Sequence, residues 1–356
     1  MKKRMQSLQN VIKGKNLEAM IITSRPNTFY FSGFGGSSSI IIVTVGRKIF
    51  ATDFRYIETA TENCGADYEV NMMTSSADAF LIETITKLGL LNIGFEENDV
   101  SYSRYNGWTD KLPKVKFSPL QSEITRLRMI KDAEEIKKLQ TAVTLGDDAF
   151  NHVLKFIKPG VSENEIAAEI EYYMRRNGAS APSFETIVAS GKRSSMPHAQ
   201  ATNKTIESGD PITMDFGALV DGYCSDMTRT VFAGKPEQKI KDIYNTVLNA
   251  QEASEAGAFA GKTGREIDDI SRKIIYRAGY EGCYGHGLGH SVGIEVHEEP
   301  RFNTKETRVM ENGMIMTVEP GIYVENYGGV RIENMIVIND DKPIVLTKST
   351  KEFIIL

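Results

Sequence analysis

Six residues in one stretch of this chain recur in the same order, at one spacing, further along it. Gly160, Ser162, Glu165, Ile166, Arg176 and Gly178 are answered 101 residues later by Gly261, Thr263, Glu266, Ile267, Arg277 and Gly279, five of the six identical. In each segment a Ser or Thr stands three residues before a Glu. That is the signature of a capping box, in which hydroxyl and carboxylate satisfy the free N–H groups that open a helix. Each segment closes on a Gly suited to the left-handed residue beyond a helix end. Strand-like sequence follows both times, and a histidine comes at nearly the same offset, His198 after the first segment and His297 after the second. The pattern predicts two similar αβ halves related by a pseudo-twofold, with a site at their junction.

The chain has 356 residues, more than one domain usually holds. Residues 1–122 alternate helix-like and strand-like stretches, with Ser39 to Val45 and Lys48 to Ala51 reading as a hairpin, and are expected to form an N-terminal α/β domain. Phe31 to Ser37 reads as a Gly/Ser loop. Residues 123–356 are expected to form an α+β domain. It opens on a long amphipathic helix carrying Ile136, Leu139, Val143, Phe150, Val153 and Ile157, stopped by Lys158-Pro159-Gly160. The net charge of -5 and the lack of a basic tract argue against a nucleic-acid partner. No apolar run is long enough to span a membrane, and the basic N-terminus leads into no apolar segment of the signal-peptide kind. Three cysteines (Cys64, Cys224 and Cys283) read as reduced thiols of a cytoplasmic protein.

Chemistry concentrates in the second domain. Asp221-Gly222 is a type I′ hairpin signal, and with these two as the loop, residue i faces residue 443 − i. Gly217 then faces Asp226, and Asp215 shares Gly217's side of the sheet. The two aspartates become diagonal neighbours about 7–8 Å apart, close enough to reach ions between them. Without a cation they would repel, and Met214, Phe216, Cys224 and Met227 make their surroundings apolar. A second acidic pair has similar surroundings. Met314 to Val318 is an apolar strand delivering Glu319 to a Pro-Gly turn. Val330 to Ile338 reads as one strand with Arg331 and Glu333 on the same face. Burying a Glu among Met, Ile and Val is costly unless it is paired or bound to metal. An ion pair with Arg331 would satisfy Glu333, and so would a metal that Arg331 helps to serve.

Four of the five histidines sit near these acids. His286 and His290 are four residues apart, but three interleaved glycines forbid the helix on which such a pair would bind zinc. The segment is instead a loop or strand that approaches something closely. Asp215, Asp226, His290, Glu319 and Glu333 together offer four carboxylates and an imidazole, a set suited to two hard or borderline divalent ions.

The motifs Asp215-Phe-Gly, Asp226-Met-Thr-Arg-Thr230, His286-Gly-Leu-Gly-His290, Val296-His297-Glu298, Thr317-Val-Glu-Pro-Gly321 and Gly329-Val-Arg-Ile-Glu333 resemble the pita-bread metallopeptidases, above all their Xaa-Pro branch of prolidases and aminopeptidases P. The N-terminal domain resembles the same branch more weakly. The resemblance implies a pita-bread catalytic domain, two divalent ions, a homodimer and a small peptide substrate with proline second. By it Asp226 and Glu333 bridge the ions, Asp215 completes one shell, and His290 with Glu319 the other. Glu319 also shuttles the proton of the attacking water, and His198 and His297 contact the scissile amide. His286 lines the proline pocket, and Arg331 holds a bridging carboxylate. The carboxylate-rich set favours manganese, with cobalt, iron or zinc as alternatives. Arg301, four residues after His297, matches the place of a prolidase arginine that anchors a dipeptide's free carboxylate, a contact that suits a guanidinium. A surface arginine is equally consistent. The expected activity is hydrolysis of Xaa-Pro dipeptides, with an aminopeptidase P acting on longer peptides, or a non-catalytic peptide-binding module, as rivals.

Overall fold

The computed structural model describes residues 2–356, which divide into two compact units, one ending at Arg128 and the other spanning Met129–Leu356. The first is built on a mixed six-stranded sheet in the order Glu69–Met72, Lys48–Thr52, Ser39–Thr44, Ala19–Ile22, Asn92–Phe95 and Lys116–Pro119. The hairpin forms as its sequence predicts, Ser39 pairing with Thr52 and Val43 with Lys48. Its run Ile40–Val43 is buried throughout, as a central strand covered on both faces requires. The expected loop from Phe31 begins later than the sequence predicts. Phe31 and Ser32 end a helix, Arg25–Ser32, capped by Ser24 and closed by Gly33 at φ 76°.

The second unit realises the internal repeat. Helices Glu163–Arg176 and Gly264–Arg277 have equal lengths and the same 101-residue offset, and both open on complete capping boxes, Ser162/Glu165 and Thr263/Glu266. Gly160 and Gly261 stand at φ 92° and 91°, Gly178 and Gly279 at 114° and 87°. Ser162 and Thr263 each make an isolated antiparallel bridge, to Thr205 and Val309. A longer helix precedes each, Ala133–Val153 and Gln238–Gly257. The first starts early, on an Asp132/Glu135 capping box, and stops at Val153 rather than running to Ile157. There the N–H groups of Phe156 and Ile157 both turn to the Val153 carbonyl, which swings Ile157 into the core.

The Asp221-Gly222 turn has φ 50° and 78°, positive at both residues as a type I′ turn demands. The 443 − i register holds on both sides of it, Val220 facing Tyr223, Phe216 facing Met227 and Asp215 facing Thr228. The strand breaks at Gly217, where an added Cβ would meet the Ser225 backbone. In the second half a five-stranded sheet runs in the order Glu298–Phe302, Gly289–Ser291, Ile315–Val318, Asn334–Val337 and Ile344–Val345. The single strand expected over Val330 to Ile338 is in fact two. Gly328–Arg331 pairs with Gly321–Val324, Asn334–Val337 pairs with Ile315–Val318, and Glu333 lies at the break. Its N–H bonds the Thr228 carbonyl at 3.0 Å, tying this change of partner to the strand that follows Asp226.

Candidate active site

A cavity of about 600 Å³ lies within the second unit, and all ten residues singled out in the sequence line it. Asp215, Asp226, His290, Glu319 and Glu333 do so together with His198, His286, His297, Arg301 and Arg331. Donor atoms of Asp226, His290 and Glu333 lie within 4.8 Å of one another, and all three residues are buried. His290 Nε2 stands 3.3 Å from Glu319 Oε1 and 3.6 Å from Asp226 Oδ2. Its Nδ1 is 3.2 Å from the Ser291 carbonyl, which can only accept, so Nδ1 carries hydrogen and Nε2 is turned to the carboxylates. That is how an imidazole is set when it ligates a metal.

The carboxylates are poorly satisfied without cations. Asp215 Oδ1 and Glu333 Oε1 are buried with no hydrogen-bond partner among the described residues. Burial, then repulsion from Glu333 and the other acids, pushes the Asp226 carboxyl well above its usual range. Burial, then Glu319 and Asp215, does the same to Glu333. Burial and the Glu319 charge raise Asp215 against the pull of Arg331. Burial would raise Glu319 as well, but the hydrogen bond and charge of His290 outweigh it and hold the group down to about 2. Four clustered acids, two of them with an orphaned buried oxygen, beside one imidazole nitrogen are a donor set that fits divalent cations.

Arg331 does not pair with Glu333. Its Nη2 donates to Asp215 Oδ2 at 2.6 Å, its Nε to Thr228 Oγ1 at 3.0 Å, and its Nη1 to Tyr323 Oη at 2.9 Å. The strand break next to Glu333 overrides the alternation that put the two on one face. Glu333 Oε2 takes its bond from Thr228 Oγ1 at 2.7 Å. His286 Nδ1 is 2.8 Å from the Gly287 carbonyl and Nε2 is 2.9 Å from Tyr323 Oη, so Arg331, Tyr323 and His286 form one hydrogen-bonded chain along the cavity wall. Burial lowers the pKa of His286. Burial, then the charges of His290 and Arg301, brings His297 down to about 4, so that its ring is neutral at pH 7. The rings of His297 and His290 meet edge to face, 4.4 Å between centroids. His198 is exposed at the cavity edge, and the carbonyl of its neighbour Pro197 accepts from Arg331 Nη1 at 3.2 Å. Arg301 lies partly exposed, with Nε 3.4 Å from Glu299 Oε1.

Three residues around the acids carry no assignment from the sequence. Thr228 and Arg229 lie on the strand that follows Asp226, and Tyr323 follows Glu319 by four. Arg229 is fully buried and spends its guanidinium on neutral acceptors. They are the carbonyls of Thr228, Glu333, Ser349 and Thr350, and Asn334 Oδ1. It thereby fixes the backbone of Glu333 and ties the C-terminal segment to it. The available signal was a full positive charge inside an otherwise uncharged strand, Met227–Phe232, buried at every position. Tyr323 offered none, because its partners lie on other elements.

Comparison with known proteins is consistent along the whole chain. Residues 137–340 match the metallopeptidase family M24, and residues 4–130 match the creatinase/prolidase N-terminal domain. A Xaa-Pro dipeptidase of Pyrococcus furiosus is 36% identical over 356 residues, covering 99% of this chain and 100% of that protein. The structure of a Xaa-Pro dipeptidase from Bacillus anthracis superposes with a TM-score of 0.96 at 40% identity, covering 99% of each chain. An X-Pro aminopeptidase from Thermotoga maritima superposes with a TM-score of 0.92 at 36% identity, covering 99% of this chain and 100% of that one. The chain belongs to metallopeptidase family M24, with a creatinase/prolidase-type domain preceding a pita-bread catalytic domain.

Proposed function

We propose that this protein hydrolyses the peptide bond preceding proline in Xaa-Pro dipeptides, with two divalent cations, manganese by preference, held by Asp215, Asp226, His290, Glu319 and Glu333. The observation that carries the reading is the lining of one cavity by all five of these residues and by every other residue assigned a role. Relatives named Xaa-Pro dipeptidase match over nearly the full length of both chains, which supports the substrate class. Bound there, divalent cations lower the pKa of water and polarise a carbonyl oxygen. Glu319, ionised at neutral pH, takes the proton of the attacking water and passes it to the departing proline nitrogen. His297, neutral at pH 7, donates a hydrogen bond to the oxygen of the tetrahedral intermediate, and His198 faces the scissile amide from the other side. His286 forms a wall of the proline pocket, held by Tyr323. Arg331 holds Asp215 in place, and Arg301 receives the dipeptide's free carboxylate. The protein acts in the cytoplasm as a homodimer, and its three cysteines, none in a disulfide among the described residues, are in keeping with a reducing compartment.

A second reading, release of the first residue from longer peptides with proline second, is favoured by the similarity to the Thermotoga maritima X-Pro aminopeptidase. It is also favoured by the contact of Arg301 with Glu299, which competes for the guanidinium. Paired assays decide between them, using metal-stripped protein re-supplied with manganese and given a Xaa-Pro dipeptide or a tripeptide with proline second. Metal-dependent cleavage of the dipeptide alone supports the dipeptidase. Cleavage mainly of the tripeptide moves the protein to the aminopeptidase reading. Silence on both, with manganese, cobalt, iron and zinc each re-supplied in turn, refutes hydrolysis.

A further inference from the structure

The segment Tyr284–Gly289 brings His286 to the cavity and leads directly into His290, yet it is poor in the means to hold itself still. Glycines stand at 285, 287 and 289, and the segment has no regular structure before Gly289. Two of those glycines are needed for close approach. A Cβ at Gly287 would lie 2.7 Å from the Phe302 carbonyl oxygen, and one at Gly289 would lie 2.7 Å from Thr317 Oγ1. Glycine gives the room but costs order, because it frees the backbone. The rigidity that a metal and substrate site needs has to come from outside the segment.

It comes from one buried ion pair on the neighbouring helix Gly264–Arg277. Arg272 Nε donates to Asp268 Oδ2 at 2.5 Å and Nη2 to Asp268 Oδ1 at 3.2 Å, a two-pronged pair one helical turn apart, with Asp268 fully buried. The pair then grips three alternate residues of the segment. Arg272 Nη2 donates to the His286 carbonyl at 2.6 Å and Nη1 to the Tyr284 carbonyl at 3.4 Å. Asp268 Oδ1 accepts the Leu288 N–H at 2.9 Å. The guanidinium also lies over the Tyr284 ring, 4.7 Å from its centroid. Leu288 is fully buried, so its N–H has no water to replace Asp268. Its carbonyl accepts the Glu319 N–H at 2.8 Å, so the grip passes through one residue to a proposed metal ligand.

We propose that Asp268 and Arg272 are positioning residues that hold the glycine-rich segment, and with it His286, His290 and Glu319, in working geometry. Neither touches the cavity; they act through Leu288 and the His286 carbonyl. The proposal rests on the peptidase reading only for its kinetic readout.

The test compares the parent with Arg272→Lys, Arg272→Met and Asp268→Asn. A control comes from the same helix, where the exposed pair Asp269–Lys273, 3.7 Å apart, faces solvent and is removed by Asp269→Asn. Backbone hydrogen exchange of peptides spanning 280–291 is followed in metal-free protein, alongside melting temperature and kcat and KM with an Xaa-Pro dipeptide. Arg272→Lys keeps the charge but loses the fork and is expected to raise exchange in that segment about tenfold and KM about tenfold. Its kcat should move less than KM and its melting temperature should stay near the parent's. Arg272→Met should exceed it on every readout, and Asp269→Asn should match the parent. Unchanged exchange in 280–291 for both Arg272 variants overturns the proposal. So does a loss spread evenly over the whole domain with kcat and KM moving only as folded fraction does. If the parent itself fails to cleave Xaa-Pro dipeptides, the functional reading falls, and the exchange data still judge the clamp.

Discussion

Gly289→Ala isolates the link between backbone spacing and the proposed metal site. A Cβ at Gly289 would lie 2.7 Å from Thr317 Oγ1 and 2.8 Å from the Thr317 carbonyl carbon, and its carbonyl oxygen is nearer still. Carbon meets a carbonyl oxygen at about 3.3 Å in adjacent strands, so Gly289–Ser291 and Ile315–Val318 must part by roughly 1 Å in a core packed like a crystal. Overpacking of this kind costs about 1–3 kcal/mol, which for a domain of this size lowers the melting temperature by about 4–8 °C at the middle of that range. The displacement falls on Thr317, whose Oγ1 accepts the His290 N–H at 3.0 Å and donates to Glu319 Oε1 at 3.3 Å. Both candidate ligands move together. Manganese affinity measured by calorimetry is expected to fall about 10–100-fold, and kcat/KM by about 100-fold. Gly285→Ala is the control, because a Cβ there meets nothing within 4 Å. Its melting temperature and activity should match the parent's. An alanine at 289 that melts within about 1 °C of the parent and keeps its metal affinity would refute the reasoning.

Arg301→Ala removes the proposed carboxylate anchor and should cut kcat/KM for a dipeptide by about 10–100-fold, the worth of a charge-assisted bond, while sparing a tripeptide; equal losses on both would show that Arg301 is no anchor. Thr228→Val deletes the donor to Glu333 and the acceptor of Arg331 Nε, and should weaken manganese binding about 10–100-fold, read by calorimetry. The metal-free protein should lose stability as pH rises. Asp226, Glu333 and Asp215 have folded pKa values raised above their unfolded ones, so their contribution is complete below the unfolded carboxylate range and is lost as pH climbs through the folded values. Glu319 runs the other way, its contribution present above its ordinary 4.5 and lost as pH falls toward about 2. Melting curves of stripped protein between pH 5 and 8 should therefore fall with pH, and manganese should reverse the slope while releasing protons to the buffer; a flat profile with no proton release would contradict the burial of these acids.

What could be read from the sequence was what local chemistry dictates. Two positive-φ residues at Asp221-Gly222 fix a turn, the turn fixes the 443 − i register, and the register puts Asp215 and Asp226 on one face. The two capping boxes and the glycines closing their helices fixed the repeat in the same way. The convergence of the acids followed from the cost of burying them singly. Contacts that close long sequence loops were not legible. Arg331 and Glu333 share a face only if their strand continues, and it stops because the Glu333 N–H donates to the Thr228 carbonyl, over a hundred residues away in sequence. With that break, Arg331 turns to Asp215 instead. The early end of the helix at Val153 was not legible either, although Ile157 still reaches the core that holds Phe150 and Val153, as helical spacing implies.

Anomalous diffraction at the manganese edge from crystals soaked in manganese tests the central claim most directly. The account predicts two peaks in the cavity about 3.5–4 Å apart, Asp226 and Glu333 touching both, Asp215 on one and His290 with Glu319 on the other. A single peak, or manganese bound away from these five residues, would contradict it.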